Sequence, residues 1–210
     1  MASDLATALA DLDEPRTYET VEGMLAAGAS PAEILAACQE GIRLVGERYA
    51  AGEYYVSDLM MSSAIFKKVA AGLGPLAVED ATEAGGRVVM GTVSGDIHDI
   101  GKDLVVSTLR AAGYAVTDLG VNVAPEAFVQ ALKDTGASVL GLSGLLTTSF
   151  DPMRDTVLAA EAAELRPGVR IMLGGGPVDE TVREQARADA VGADPPAAVR
   201  LADAWMEELR

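Results

Sequence analysis

Val88-Val89-Met90-Gly91-Thr92-Val93-Ser94-Gly95-Asp96-Ile97-His98-Asp99-Ile100-Gly101-Lys102-Asp103 runs from an apolar, strand-like stretch through a glycine-rich loop into a helical pattern. The same handover repeats downstream. Residues 87–93 precede a helical stretch at 103–112, 115–119 precedes 125–135, and 138–142 precedes 151–165. Then 169–173 precedes 179–187, and a brief Ala190-Val191 precedes 196–209. Short strands alternating with amphipathic helices predict a parallel sheet covered on both faces. Five strands fit the flavodoxin-like order, in which ligands bind beyond the carboxyl ends of the strands at the switch point. The loops after strands one, three and four carry Asp96-Ile97-His98, Ser143-Gly144-Leu145-Leu146-Thr147-Thr148-Ser149 and Gly174-Gly175-Gly176-Pro177. Polar and glycine-rich signals therefore converge on one sheet edge.

Upstream, as far as about Glu83, the periodicity is helical. Tyr18, Val21 and Leu25 recur at three- and four-residue steps, as do Ile34, Leu35, Cys38, Ile42, Val45 and Tyr49. Ser30-Pro31-Ala32-Glu33 is a helix start: Ser30 caps, Pro31 suits the first helical position, and Glu33 reaches back to the cap residue. Gly52-Glu53-Tyr54-Tyr55 interrupts the pattern, and a further helix runs from about Ser57 through Leu59, Met60, Ala64 and Phe66 to about Ala71. With a short helix near residues 5–12, four helices on brief connections predict a bundle. The glycines, Pro75 and acidic residues between Gly72 and Gly86 read as a linker. The expected architecture is α/β: a helical bundle and linker over 1–84, then a flavodoxin-like (Rossmann-like) five-stranded parallel sheet domain over 85–210.

Of 210 residues, 50% are hydrophobic, 23% charged and only 4% aromatic, so a sizeable aliphatic core is expected. Net charge of −16 repels phosphate backbones and anionic lipid, which disfavours nucleic-acid or membrane-surface binding. No stretch has the length and apolarity of a membrane span, and the start lacks the basic and apolar regions of a secretory signal. The single cysteine, Cys38, excludes an internal disulfide and suits a reducing, cytoplasmic setting, where it serves as a small buried apolar residue.

His98 is the only histidine. A lone histidine at a strand end is more often a hydrogen-bonded loop residue than a ligand. Here Asp96, placed to hold one ring nitrogen, and Gly101, which lets a bulky ligand approach the helix start, favour a functional site. A triphosphate-binding loop fails: the spacing from Gly95 to Gly101-Lys102 is one residue too long, and Asp103 stands where a magnesium-binding Ser or Thr is needed. A phosphoacceptor receiver domain fails too, with Ser143 in place of the acceptor aspartate and no lysine near Val191-Gly192-Ala193. One histidine cannot build a closed zinc site. A metal held in its own macrocycle needs a single axial protein ligand, which points to a cobalt or iron tetrapyrrole.

Asp96-x-His98-x-x-Gly101, then Ser143-x-Leu145, then Gly174-Gly175 resemble, in order and spacing, the motif series of corrinoid (cobalamin-binding) methyl-carrier proteins and of the cobalamin module of methionine synthase. The helical half, with Gly52-Glu53-Tyr54-Tyr55-Val56-Ser57-Asp58-Leu59-Met60, resembles the four-helix cap of these carriers. The resemblance implies a cobalamin cofactor, methylcobalamin or a related corrinoid, with His98 as lower axial ligand of cobalt. Asp96 would hold the other imidazole nitrogen and Ser149 would continue the relay. Gly101, Ser143, Leu145, Thr147, Gly174 and Gly175 would line the pocket for the displaced nucleotide tail. Tyr54, Tyr55, Leu59 and Met60 would cover the upper face, with the linker as hinge. Family members often carry a longer approach to the last helix than Gly192-Ala193-Asp194 running into Pro195-Pro196, so the pocket would be more open there.

The implied role is to carry a methyl group on cobalt between a substrate:corrinoid methyltransferase and an acceptor methyltransferase using tetrahydrofolate or a thiol coenzyme. A reductive activating protein is the third implied partner, and the carrier alone would not turn over the donor. The alternative is a cobalamin-binding sensor, which commonly adds a DNA-binding segment not visible here. The cobalamin subunit of a carbon-skeleton mutase fits less well, for want of a substrate barrel.

Overall fold

The strands are β1 (Arg87–Thr92), β2 (Ala115–Asp118), β3 (Val139–Ser143), β4 (Arg170–Gly174) and β5 (Ala190–Val191). In the computed structural model, which describes residues 1–73, 85–166 and 168–208, they form one sheet in the order β2-β1-β3-β4-β5. Every pairing is parallel, with Val88 beside both Val116 and Val139, and Leu140 beside Ile171. The chain steps from β1 out to β2 and then back across β1 to β3, so the order reverses between β1 and β3. The flavodoxin-like expectation is met.

Helices α5 (Ile100–Ala111), α6 (Pro125–Thr135), α7 (Phe150–Ala162), α8 (Glu180–Ala186) and α9 (Pro195–Glu208) connect or follow the strands. Val89, Leu140, Leu142, Ile171 and Leu173 share one sheet face and pack with Phe128 and Leu132 of α6, Met153 and Val157 of α7, and Val182 of α8. These side chains alternate along each strand because successive residues point to opposite faces. On the other face Met90 fills the space that Gly141 leaves open: a Cβ at Gly141 would lie 2.0 Å from the Met90 sulfur. Both faces are buried, as a wholly parallel sheet requires.

The boundaries moved in instructive ways. Helix α5 starts at Ile100, three residues before the expected 103, and the Asp103 N–H already donates to the Asp99 carbonyl at 2.7 Å. Its first turn exposes Ile100 and Gly101, so the apolar periodicity begins later than the helix does. Helix α6 matches its expected span and stops at left-handed Gly136.

The chain divides into two compact units, residues 1–85 with 107–114, and 86–106 with 115–210. The first contains α1 (Ala2–Ala10), α2 (Glu14–Ala26), α3 (Pro31–Ala50) and α4 (Val56–Leu73). Helix α3 starts with the expected capping box: Glu33 N–H donates to Ser30 Oγ, and the Glu33 carboxylate accepts from Ser30 N–H at 2.8 Å. Gly41 lets α3 approach α1, since a Cβ there would sit 2.9 Å from the Ala6 carbonyl. Helix α1 ends at Ala10, not at 12, because Leu12 turns left-handed (φ 57°) and Asp13 caps α2.

The buried stripe of α2 also differs from the one expected. Thr17, Val21 and Met24 are buried, Tyr18 is half-buried, and Leu25 is exposed. Thr17 tolerates burial because its hydroxyl donates to the Asp13 carbonyl at 2.8 Å. Tyr18 instead lies beneath the Lys68 ammonium (4.4 Å to the ring centroid) and donates to Glu14. The expected linker, Gly72 to Gly86, falls for residues 74–84 outside the described residues.

Cys38 is buried in α3, and burial pushes its thiol up to about 12. The folded chain should therefore resist a thiol-reactive disulfide reagent at neutral pH and react fully once denatured. Labelling of the folded chain at the denatured rate would contradict this packing. No described helix is long and apolar enough to cross a membrane.

Candidate functional site

Asp96 is fully buried on the loop after β1, at the carboxyl edge of the sheet beside the switch point. A buried carboxylate must find donors for its lone pairs, and this one finds five. One oxygen accepts from the His98 backbone N–H at 3.0 Å and faces His98 Nδ1 at 2.7 Å. The other accepts from Leu145 N–H at 2.6 Å, Leu146 N–H at 3.3 Å and Ser149 Oγ at 2.7 Å. Leu145, Leu146 and Ser149 lead from β3 through a 3₁₀ turn (Thr147–Ser149) into α7. Asp96 thus ties the loop after β1 to the loop after the neighbouring β3. Burial pushes its carboxyl up, but the His98 amide, the Ser149 hydroxyl, the Leu145 amide and the imidazole outweigh burial and hold it well below the ordinary carboxylate range.

An ionised Asp96 has no proton to give, so Nδ1 carries the proton of the 2.7 Å bond, and in the neutral ring the lone pair falls on Nε2. The His98 side chain is 48% exposed, and Nε2 has no hydrogen-bond partner among the described residues. The His98 carbonyl accepts from buried Thr92 Oγ1 at 2.9 Å. An imidazole held by a carboxylate on one nitrogen and open on the other has the arrangement commonly found in metal-binding histidines.

Around it lies an apolar rim. Ile97 is 73% and Ile100 81% exposed, and Leu145, Leu146 and Val121 are also exposed, all on segments that flank or bond to the Asp96 loop. Gly101, the second residue of α5, is exposed, and a Cβ there would meet no atom within 4 Å. Among the described residues, nothing demands a glycine at that place. Across the edge, Gly175 (φ 134°) is demanded: a Cβ would fall 1.8 Å from the Gly144 carbonyl oxygen. Gly174 pairs with Ser143 at the strand ends, and its carbonyl accepts from Gly144 N–H at 3.1 Å.

The second unit therefore gathers Asp96, His98, Ser149, Gly101, Ser143, Leu145, Thr147, Gly174 and Gly175 at one carboxyl edge. Tyr54, Tyr55, Leu59 and Met60 belong to the helical unit and differ among themselves. Leu59 is 2% exposed, within the helical core. Tyr54 donates its hydroxyl to the Ala10 carbonyl at 2.9 Å and accepts from Arg48 at 2.7 Å. Tyr55 and Met60 are exposed.

The loop after β2, which carries no motif of its own, also reaches the site. Asn122 on that loop bonds to the Asp96 loop, and Lys102, buried at the start of α5, pairs with Asp118 at 2.6 Å and Asp103 at 2.5 Å. Burial pushes the Lys102 ammonium down, but the two carboxylates outweigh it and hold it above its ordinary value. The usable signal was Gly120-Val121-Asn122, a glycine and an asparagine directly after a strand.

The B12 binding domain family matches residues 86–201, and a second B12 binding domain family matches residues 1–73. The chain belongs to the B12-binding family, and it is a corrinoid-binding chain. Its relatives include corrinoid proteins. Dimethylamine corrinoid protein 2 of Methanosarcina acetivorans is 33% identical over 92% of this chain and 88% of its own. A corrinoid protein of Desulfitobacterium hafniense is 37% identical over 74% of this chain and 71% of its own. Among solved structures, a cobalamin-binding protein of Desulfitobacterium hafniense superposes with a TM-score of 0.83 at 33% identity, covering 98% of both chains. The methanol:cobalamin methyltransferase complex of Methanosarcina barkeri gives 0.81 at 25% identity, covering 98% of this chain and 79% of that one.

The residues present fit a corrinoid. One free imidazole nitrogen suits a metal that arrives with its equatorial positions filled. The apolar rim suits a broad macrocycle, and the open space at Gly101 suits its close approach. Groups of three or more His, Cys, Asp or Glu able to hold a bare metal ion are absent among the described residues.

Proposed function

We propose that this chain carries a methyl group between two methyltransferases, with His98 as the axial ligand of cobalt. The single observation that supports this most is the imidazole itself, held on Nδ1 by a buried carboxylate while the side chain is half exposed on a loop with exposed apolar residues. A bound corrinoid supplies a cobalt centre able to accept a methyl group from one partner and yield it to another. The chain's own part is to present and withdraw one ligand. Asp96 keeps the imidazole in the tautomer that coordinates through Nε2. Ser149 steadies the carboxylate from the opposite side.

In this reading Gly101, Ser143, Leu145, Thr147, Gly174 and Gly175 line the tail pocket. Tyr54, Tyr55, Leu59 and Met60 belong to a cap formed by residues 1–84. The sheet domain is 85–210. The donor is a methylamine or methanol, a choice supported by the names of the relatives. The partners are a donor methyltransferase, an acceptor methyltransferase and a reductive activating protein, all in the cytoplasm.

The test is anaerobic. The chain is loaded with hydroxocobalamin, reduced, and given labelled trimethylamine, dimethylamine or methanol with a methyltransferase specific for that donor. The label should stay with the chain through gel filtration, pass on only when an acceptor methyltransferase is added, and fail to transfer from the donor to the chain alone. A chain that remains colourless after hydroxocobalamin, or whose spectrum is unchanged by His98→Ala, ends the proposal.

A further inference from the structure

We infer that Asn122 is a positioning residue for His98, acting from the loop after β2 on the backbone of Gly95 and Asp96. The inference rests on the axial role proposed above. Asn122 grips two consecutive residues at once. Its side-chain Oδ1 accepts from Gly95 N–H at 2.8 Å, and its own backbone N–H donates to the Asp96 carbonyl at 2.9 Å.

The grip has a firm base. Beyond the last β1–β2 pair, Thr92 N–H donates to the Gly120 carbonyl at 2.9 Å, and Val123 N–H donates to the Thr92 carbonyl at 3.0 Å. A parallel bridge then joins Val93 to Val123. The β2 loop is therefore stitched to the end of β1 on both sides of Asn122. Asn122 itself is left-handed, at φ 53°, a conformation that Asn accepts more readily than other side-chain-bearing residues. The left-handed turn aims amide and side chain at the same neighbour.

The consequence follows from where Asp96 is held. Its carboxylate is fixed from the β3 side by Leu145, Leu146 and Ser149, and its main chain from the β2 side by Asn122. With both ends of that short side chain fixed, the direction of the Asp96–Nδ1 bond is fixed, and with it the direction in which Nε2 points. Gly95 is exposed, so water can satisfy its N–H once the Asn122 side chain is gone. What the side chain adds is placement of the loop, more than stability of the fold.

Two variants separate these contributions. Asn122→Gly keeps the left-handed backbone at little strain and removes the acceptor; Asn122→Asp restores an acceptor at the same place. In the apo chain, amide exchange at Gly95 should quicken in Asn122→Gly and return towards the wild-type rate in Asn122→Asp. Each protein is then loaded with cobalamin, reduced to the cobalt(II) form and read by electron paramagnetic resonance. Splitting that changes when the chain is labelled with nitrogen-15 histidine, and is lost in His98→Ala, separates the coordinated imidazole from the cofactor's own base. Asn122→Gly should lower the ratio of coordinated to free cobalt by about 10-fold, in the range of other outer partners of metal-bound histidines. Asn122→Asp should recover most of it. Wild-type splitting that is undiminished in Asn122→Gly overturns this inference alone. A wild-type spectrum without nitrogen splitting overturns the axial role of His98 itself.

Discussion

Gly101→Trp should abolish corrinoid uptake while leaving the apo chain folded and no less stable. Gly101 is exposed in the first turn of α5, and a Cβ at that place has nothing within 4 Å. Its φ lies outside the left-handed region, so a side chain is not strained there. Glycine within a helix is also unfavourable by up to about 1 kcal/mol relative to alanine. Judged by the apo protein alone, almost any residue improves on this glycine. Gly101→Ala should therefore raise stability by about 0.5–1 kcal/mol, read by thermal or urea unfolding. An indole at this position, three residues after His98 and next to exposed Ile100, would occupy space that a bound macrocycle needs. Affinity should fall by about 100-fold or more, equivalent to roughly 2.7 kcal/mol. The measurement is the visible absorbance retained with the protein after incubation with hydroxocobalamin and gel filtration. Undiminished binding by Gly101→Trp would place the cofactor elsewhere on the chain.

The parts of this molecule legible in its sequence are those whose physics is local. The capping box of Ser30 and Glu33, the Pro125 start and Gly136 stop of α6, and the alternation of short apolar strands with helices each depend on residues a few positions apart. The bundle was legible as four helices, but not which face of α2 turns inward. Thr17 replaces Tyr18 and Leu25 because a hydroxyl satisfied by its own helix can be buried, and Tyr18 has a cation to lie against. At the site, Asp96 and His98 are two residues apart and can be read together, and Ser149 comes from a loop that the strand order brings alongside. Asn122 and Lys102 were not legible. Their roles depend on the register of β2 against β1 and on the turn after it, and neither the register nor the positive φ of Asn122 is written in a hydrophobic pattern.

Asp96→Ala should cost more stability than any other single change at this edge, about 3–5 kcal/mol, and should take the coordinated imidazole with it. The side chain accepts five hydrogen bonds, and its removal leaves the Leu145 amide and the buried Ser149 hydroxyl without their acceptor. Each buried donor left unmet costs about 1–3 kcal/mol. Ser149→Ala, which removes one donor and leaves four, should cost only about 1–2 kcal/mol. The two variants therefore separate the carboxylate's role from that of its partner. The sign with pH is fixed by the depressed carboxyl. Its stabilisation is whole above the ordinary value of 3.8 and drains away as pH falls below it towards the lower folded value. The gap in unfolding free energy between wild type and Asp96→Ala should thus be constant from neutral pH down to about 4, then narrow in stronger acid. Function should fail before stability does. With the carboxylate gone the imidazole is free to take either tautomer and to turn on its exposed loop, so nitrogen coordination should be lost at pH 7 even where the chain is still folded. A gap that widens in acid, or full coordination in a folded Asp96→Ala chain, would show that the carboxylate does not set the imidazole.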